Sequence, residues 1–335
     1  MISRLLDRLA GLAAVLATAT GFALAGAAPA AAQPDRVTVD WAYYNPVSLV
    51  LKENGWLEEE LKKDGIAVRW VQSLGSNKAL ELLNSGSADF TSSAGAAALL
   101  SRINGNPVKS IYVYSKPEWT ALVTRPDTGI KTVADLKGRL VAATRGTDPY
   151  IFLMRALATA GLTDRDVKLV LLQHGDGKNA LIHGDVDAWA GLDPYMAQAE
   201  LEDGAVLFFR NADFNTYGVL NVREEFAQAN PELVERVLTV YERGRKWALE
   251  HPAELQAILV KAAKVSDAVA AKQLGERTDL TQSVIGPAQR ESILAAGKVL
   301  QASGVIDKEV DVEAATDALI DPQYIERVEK RLSGS

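Results

Sequence analysis

The chain has 335 residues, with 36 basic and 43 acidic side chains and a formal charge of −7. An acidic chain without basic clusters is a poor partner for nucleic acid or for an anionic membrane surface. Cysteine is absent, which excludes disulfides, cysteine nucleophiles and cysteine-based metal sites together.

The first element in chain order is a leader. Arg4 and Arg8 precede an apolar, alanine-rich run from Leu9 to about Ala28, which ends in Ala30-Ala31-Ala32. That order of positive, apolar and small-residue regions predicts a cleavable secretory signal over residues 1–32, and so a periplasmic protein. A membrane anchor is the competing reading, because the run is nearly long enough to span a bilayer. Cleavage takes away Arg4, Arg8 and Asp7 and moves the charge from −7 to −8. The roughly 300 residues that remain exceed the usual size of a single core, so two lobes are expected.

A repeating pattern follows: a short β-rich run, a few small polar residues, then a helix with a glycine stop. Val37–Ala42 is the first strand. Asn45 caps a helix that starts at Pro46 and stops at Asn54-Gly55. Ala67–Val71 precedes a helix over Lys78–Asn84, capped by Ser76 or Asn77. Ala88–Thr91 precedes a helix that ends at Asn104-Gly105, and Val108–Tyr114 is the fourth strand. The pattern restarts with a short helix over Lys131–Lys137, a strand over Arg139–Ala143 and a helix over Pro149–Ala160. A strand at Val167–Leu172, a helix at Lys178–Ile182, a strand at Ala188–Gly191 and a helix at Pro194–Glu200 complete this second set. After Tyr217–Val222 the chain reads as helical, with breaks at Pro231, Pro252, Gly286 and Gly304.

Strands separated by helices predict parallel βαβ units and an α/β fold. The order predicts lobe 1 from residues 33–125 plus 217–335 and lobe 2 from residues 126–216. Trp119–Thr124 and Tyr217–Val222 would be the two crossing strands of a hinge, and ligand sites favour such interfaces.

In open α/β sheets ligands bind beyond the carboxyl ends of strands, where helix N-termini offer unpaired N–H donors. Here those ends carry Tyr43–Asn45, Ser73–Asn77, Thr91–Gly95 and Thr144–Asp148. Arg145, Gly146 and Thr147 place a guanidinium and a hydroxyl at one helix start; the alternative is a plain Asp148 cap with Arg145 solvated. Ser92 and Ser93 can donate several hydrogen bonds. Tyr43, Tyr44 and Trp119 could wall an organic tail, or equally sit in the core. Asp193 caps the helix from Pro194 or accepts from a ligand ammonium, and His174 follows a strand. These donor-rich, carboxylate-poor ends favour a monoanion, provided that they face a gap the protein's own side chains leave open. Neither a metal-ligand cluster nor a nucleophile–base, P-loop or dinucleotide signature is present, so no cofactor and no catalysis are expected.

Three segments carry a family likeness: Glu81–Leu99 (ELLNSGSADFTSSAGAAAL), Thr132–Leu162 (TVADLKGRLVAATRGTDPYIFLMRALATAGL) and Gly184–Glu200 (GDVDAWAGLDPYMAQAE). Over about Val37 to His251 the chain resembles the aliphatic sulfonate- and taurine-binding proteins of ATP-binding-cassette (ABC) importers. That wider group includes nitrate- and thiamine-precursor-binding proteins. The resemblance implies a type II periplasmic-binding-protein fold, with two α/β lobes joined by a two-strand hinge and a helical C-terminal region. It also implies a small organic anion as ligand and a membrane permease as partner, the binding protein itself acting as a monomer. By position the anion would meet Asn45, Gly75, Ser76, Ser92, Ser93, Arg145, Gly146, Thr147 and Asp193, with Asn77 beside them. The Tyr43–Glu53 opening departs from the family pattern and argues for a bulkier tail than taurine's. Rival solutes are nitrate, bicarbonate, an aromatic carboxylate or sulfonate, and a pyrimidine vitamin precursor. Enzymes on the same fold use cysteine, and a periplasmic sensor is the remaining alternative.

Overall fold

The computed structural model describes residues 34–334; the expected secretory leader lies outside them. β1 (Arg36–Trp41) buries Val37 and Val39 and pairs in parallel with β2 (Ala67–Gln72), Val39 opposite Trp70. Between them α1 (Pro46–Asn54) starts as expected. Asn45 accepts the Ser48 amide, Pro46 fills the first turn, and Gly55 closes the helix at φ 65°. A second helix, α2 (Trp56–Lys62), follows at once and was not foreseen.

α3 (Ser76–Asn84) begins two residues earlier than expected, with Gly75 rather than Ser76 or Asn77 at its cap and no side-chain cap bond. β3 is Phe90–Ala94 rather than Ala88–Thr91, so the hydroxyl run lies inside a strand that is buried throughout. α4 (Gly95–Ile103) and β4 (Val108–Pro117) complete the first set.

The crossing region contributes β5 (Leu122–Thr124), which pairs antiparallel with strands of the second sheet. The chain is therefore in that sheet before residue 125. Val133–Leu136 is a 3-10 turn rather than a full helix, held by reciprocal Thr132 and Asp135 bonds. β6 (Leu140–Ala143), α5 (Asp148–Thr159), β7 (Lys168–Leu171), α6 (His174–His183), β8 (Ala188–Ala190) and α7 (Tyr195–Glu202) follow. β9 (Val206–Phe209) is an unforeseen strand, and β10 (Gly218–Arg223) returns to the first sheet.

The tail is helical, with breaks near the expected residues: α8 (Glu224–Ala229), α9 (Pro231–Glu250), α10 (Pro252–Ala263), α11 (Asp267–Ala271), α12 (Pro287–Ala302), α13 (Val312–Leu319) and α14 (Gln323–Ser333). The two-residue β11 (Thr278–Asp279) interrupts it.

Two sheets result. The first has the order β11-β4-β10-β3-β1-β2, and the second β7-β6-β8-β5-β9. β10 runs antiparallel between β3 and β4, so the returning chain is stitched into the middle of the first sheet. The described residues form one compact unit. Its core packs Phe90 edge-on to Phe226 at 5.6 Å and Tyr112 to Tyr241 at 5.7 Å on the first-sheet side. Phe152 packs against Phe209 at 5.8 Å beside the second sheet. Such edge-to-face pairs add to the burial of apolar area. No helix among the described residues is long and apolar enough to cross a membrane.

Candidate functional site

Asp40, near the end of β1, organises the first-sheet side. Its carboxylate accepts Ser73 Oγ at 2.7 Å, the Ser92 amide at 2.8 Å and Ser92 Oγ at 2.7 Å. Burial pushes this carboxyl up to about 6 while those donors pull it down, so it is ionised at neutral pH. Asn45 Nδ2 donates to Ser92 Oγ at 2.7 Å. Ser93 Oγ accepts Asn221 Nδ2 at 2.8 Å and donates to the Ala94 carbonyl.

Asn45, Ser92 and Ser93 are thus fully buried and committed to one another and to Asp40 and Asn221. They hold strands together and do not face the gap. The cause is the length of β3: a strand that runs on to Ala94 carries the hydroxyls into the sheet, where only buried side chains can satisfy them.

Elements of both sheets nevertheless meet. A cavity of about 10 Å³ is lined by Tyr44 and Ser76 from the first-sheet loops and by Thr147, Asp148, His174 and Leu192 from the second. Trp119, from the crossing segment, closes one wall and meets Tyr44 edge-on at 5.9 Å. That volume is at the lower limit for a single water. The gap is therefore almost filled by the protein itself, against expectation, because the two sets of loops are in contact.

The ends are not poor in carboxylates either. Asp148 does not cap its helix. It accepts Trp119 Nε1 at 2.9 Å, the Thr216 amide at 2.8 Å and Thr216 Oγ1 at 2.7 Å. Thr216 Oγ1 in turn accepts the Ala96 amide in the first turn of α4 at 3.2 Å. One buried carboxylate thus ties the start of α5 to both crossing segments and, through Thr216, to α4. Burial raises its pKa.

Asp193 is buried and accepts the Ala197 amide at 2.8 Å, part of its expected capping role. It is also paired with Arg277 Nη1, at 3.1 and 3.3 Å from its two oxygens. Arg277 also bonds Glu200 on α7. Burial outweighs the guanidinium and lifts Asp193 to about 6, still ionised at pH 7. Arg277 has no sequence signal, since it stands in the helical-looking tail without a motif around it.

The remaining expected residues divide. Gly75, Ser76, Asn77, Thr147, Tyr44 and Trp119 gather at or beside the cavity. Gly146 turns at φ 78° next to Asn77. Tyr43 points elsewhere, edge-on to Trp41 at 5.8 Å, with its carbonyl accepting Gln273 Nε2. Arg145 is exposed with its guanidinium 5.7 Å from the Tyr150 ring centre. It lines an outer groove of about 670 Å³ together with Arg165, Lys308 and Ser303. It does not line the inner cavity, because the turn at Gly146 sends the two neighbouring side chains to opposite sides.

Two α/β sheets joined by crossing segments, with strand-end loops meeting between them, define a binding-protein architecture. The chain matches the family model "NMT1/THI5 like" over residues 47–255, and it belongs to that family. It is 28% identical over 272 residues to a "putative aliphatic sulfonates-binding protein" of Escherichia coli, covering 81% of this chain and 83% of that one. A protein of the same description from Bacillus subtilis is 26% identical, with 80% and 82% covered.

Among solved structures, the alkanesulfonate-binding protein SsuA from Xanthomonas axonopodis pv. citri, bound to MOPS, superposes with a TM-score of 0.78 at 23% identity. It covers 87% of this chain and 100% of its own. The periplasmic aliphatic sulphonate binding protein SsuA from Escherichia coli gives 0.72 at 25%, with 87% and 93% covered. The fold is therefore that of the periplasmic binding proteins. The desulfurization enzyme DszB shares it at 16% identity with a TM-score of 0.65.

Proposed function

We propose that this chain is the exported solute-binding component of an ABC importer and carries a small organic anion, an aliphatic sulfonate before others. The observation that carries the reading is the meeting of Tyr44, Ser76, Thr147 and His174 from two different sheets around one buried point. Sequence likeness to two sulfonate-binding relatives over four-fifths of the chain supports it. A lack of cysteine supports transport over catalysis.

Lobe 1 comprises the residues before the first crossing and after the second, lobe 2 those between them, with the segments around Trp119 and Thr216 as hinge. The filled cavity then belongs to a closed form. A sulfonate is larger than one water, so it enters only when the loops part, and it favours renewed closure through contacts with both sides. Neutral hydroxyl and amide donors suit a monoanion; Asp148 beside them opposes a dianion. The protein acts as a monomer that delivers its cargo to a membrane permease.

A melting-temperature screen of short alkanesulfonates, nitrate, bicarbonate and aromatic carboxylates tests this. At 100 times its Kd, a true ligand adds about 2.7 kcal/mol of stability. Alkanesulfonates are expected to raise the melting point. The sulfonate assignment fails if they leave it unchanged while another anion raises it.

A further inference from the structure

The start of α6 holds an acceptor with nothing to accept. His174 is 1% exposed, and it lines the inner cavity. Its Nδ1 lies 3.2 Å from Thr144 Oγ1. That hydroxyl directs its single proton to the Leu172 carbonyl at 2.7 Å, and a carbonyl can only accept. Thr144 Oγ1 is left to accept from the ring, so Nδ1 carries the ring proton. The ring is neutral, because burial drives its pKa down to about 3, and a helix N-terminus also disfavours a cation.

Nε2 is therefore a bare lone pair, buried and without a partner. Asn77 Oδ1 is a second buried acceptor without a partner. The two converge on Gly75, where an added Cβ would stand 2.8 Å from Nε2 and 2.9 Å from Oδ1. Buried acceptors are normally satisfied. Two left open at one spot, one on each side of the gap, mark the place where a ligand brings donors.

We propose that the cleft selects anions that also carry a hydrogen-bond donor, a hydroxyl or an N–H group, and that His174 Nε2 accepts from it. The inference rests on the binding-protein reading above. A plain alkyl chain at this place leaves Nε2 unpaired, and sites built for a donor discriminate strongly against analogues that lack it.

Calorimetry with 2-hydroxyethanesulfonate and 1-propanesulfonate, which differ by hydroxyl against methyl, tests the claim on the unaltered protein. The hydroxy compound is expected to bind at least tenfold more tightly. His174→Phe is expected to shrink that ratio below threefold, and His174→Gln to restore it, since the amide oxygen accepts. Nitrogen NMR of the free protein should find His174 Nε2 unprotonated. Equal affinities for the two sulfonates overturn donor selection and leave the binding reading standing. An Nε2-protonated ring overturns the acceptor assignment. Failure of both sulfonates to bind removes the sulfonate assignment and this inference together.

Discussion

Arg277→Ala destabilises the protein by about 3–5 kcal/mol, the usual result of breaking a buried ion pair from one side. The side chain is 1% exposed and so is its partner Asp193. Its removal strands the Asp193 carboxylate and leaves Glu200, on the α7 helix that follows, facing Lys272 at 3.7 Å. The Arg277 carbonyl also accepts the Glu118 amide at 2.8 Å, so the residue sits where the tail meets the first crossing.

The pH dependence follows from the sign of the Asp193 shift. A carboxyl raised to about 6 in the fold, against 3.8 unpaired, favours folding when protonated. That contribution is complete at low pH and is lost as pH rises through the folded value. Without Arg277 the window moves upward, so the variant recovers stability between pH 7 and pH 5 relative to the parent. Asp193→Asn combined with Arg277→Ala recovers at least half the loss. Denaturant titrations of the three proteins at both pH values measure this. A loss under 1 kcal/mol for the single variant contradicts it.

Gly75→Val abolishes ligand binding at micromolar concentration, a fall of at least a hundredfold or about 2.8 kcal/mol. Gly75 has φ 156° and ψ 164°, a region essentially reserved for glycine. A Cβ there meets His174 Nε2 at 2.8 Å across the gap, so the obstruction acts on closure more than on either sheet. Unfolding free energy is expected to fall by only about 1–3 kcal/mol, as overpacking typically does. Affinity within threefold of the parent, measured by calorimetry on the folded variant, shows that closure does not pass through this contact.

The architecture was largely legible because it rests on local signals. Asn45, Pro46 and Gly55 mark one helix completely, and Pro231, Pro252 and Gly286 punctuate the tail. The site was legible by position along the chain and not by direction. Ser92-Ser93 reads as a loop by composition, yet the partners that bury Ser92 and Ser93, Asp40 and Asn221, lie 52 and 128 residues away.

Asp148 carries every local mark of a cap, while its acceptors serve Trp119 and Thr216 instead. Arg145 stands at the right strand–helix junction but faces the outer groove. His174 is placed by the sequence only as following a strand, because Gly175 and Gly177 disguise the helix start that aims it inward. Long-range pairing decided each of these, and no window of neighbouring residues contains it.

The most direct test of the account is a crystal structure grown with an alkanesulfonate that the melting screen has identified. The expected result is sulfonate density enclosed between Tyr44 and Ser76 on one side and Thr147 and His174 on the other, with the cavity enlarged well beyond about 10 Å³. Sulfonate lodged instead in the outer groove beside Arg145 and Lys308, with the inner cavity unchanged, would contradict it.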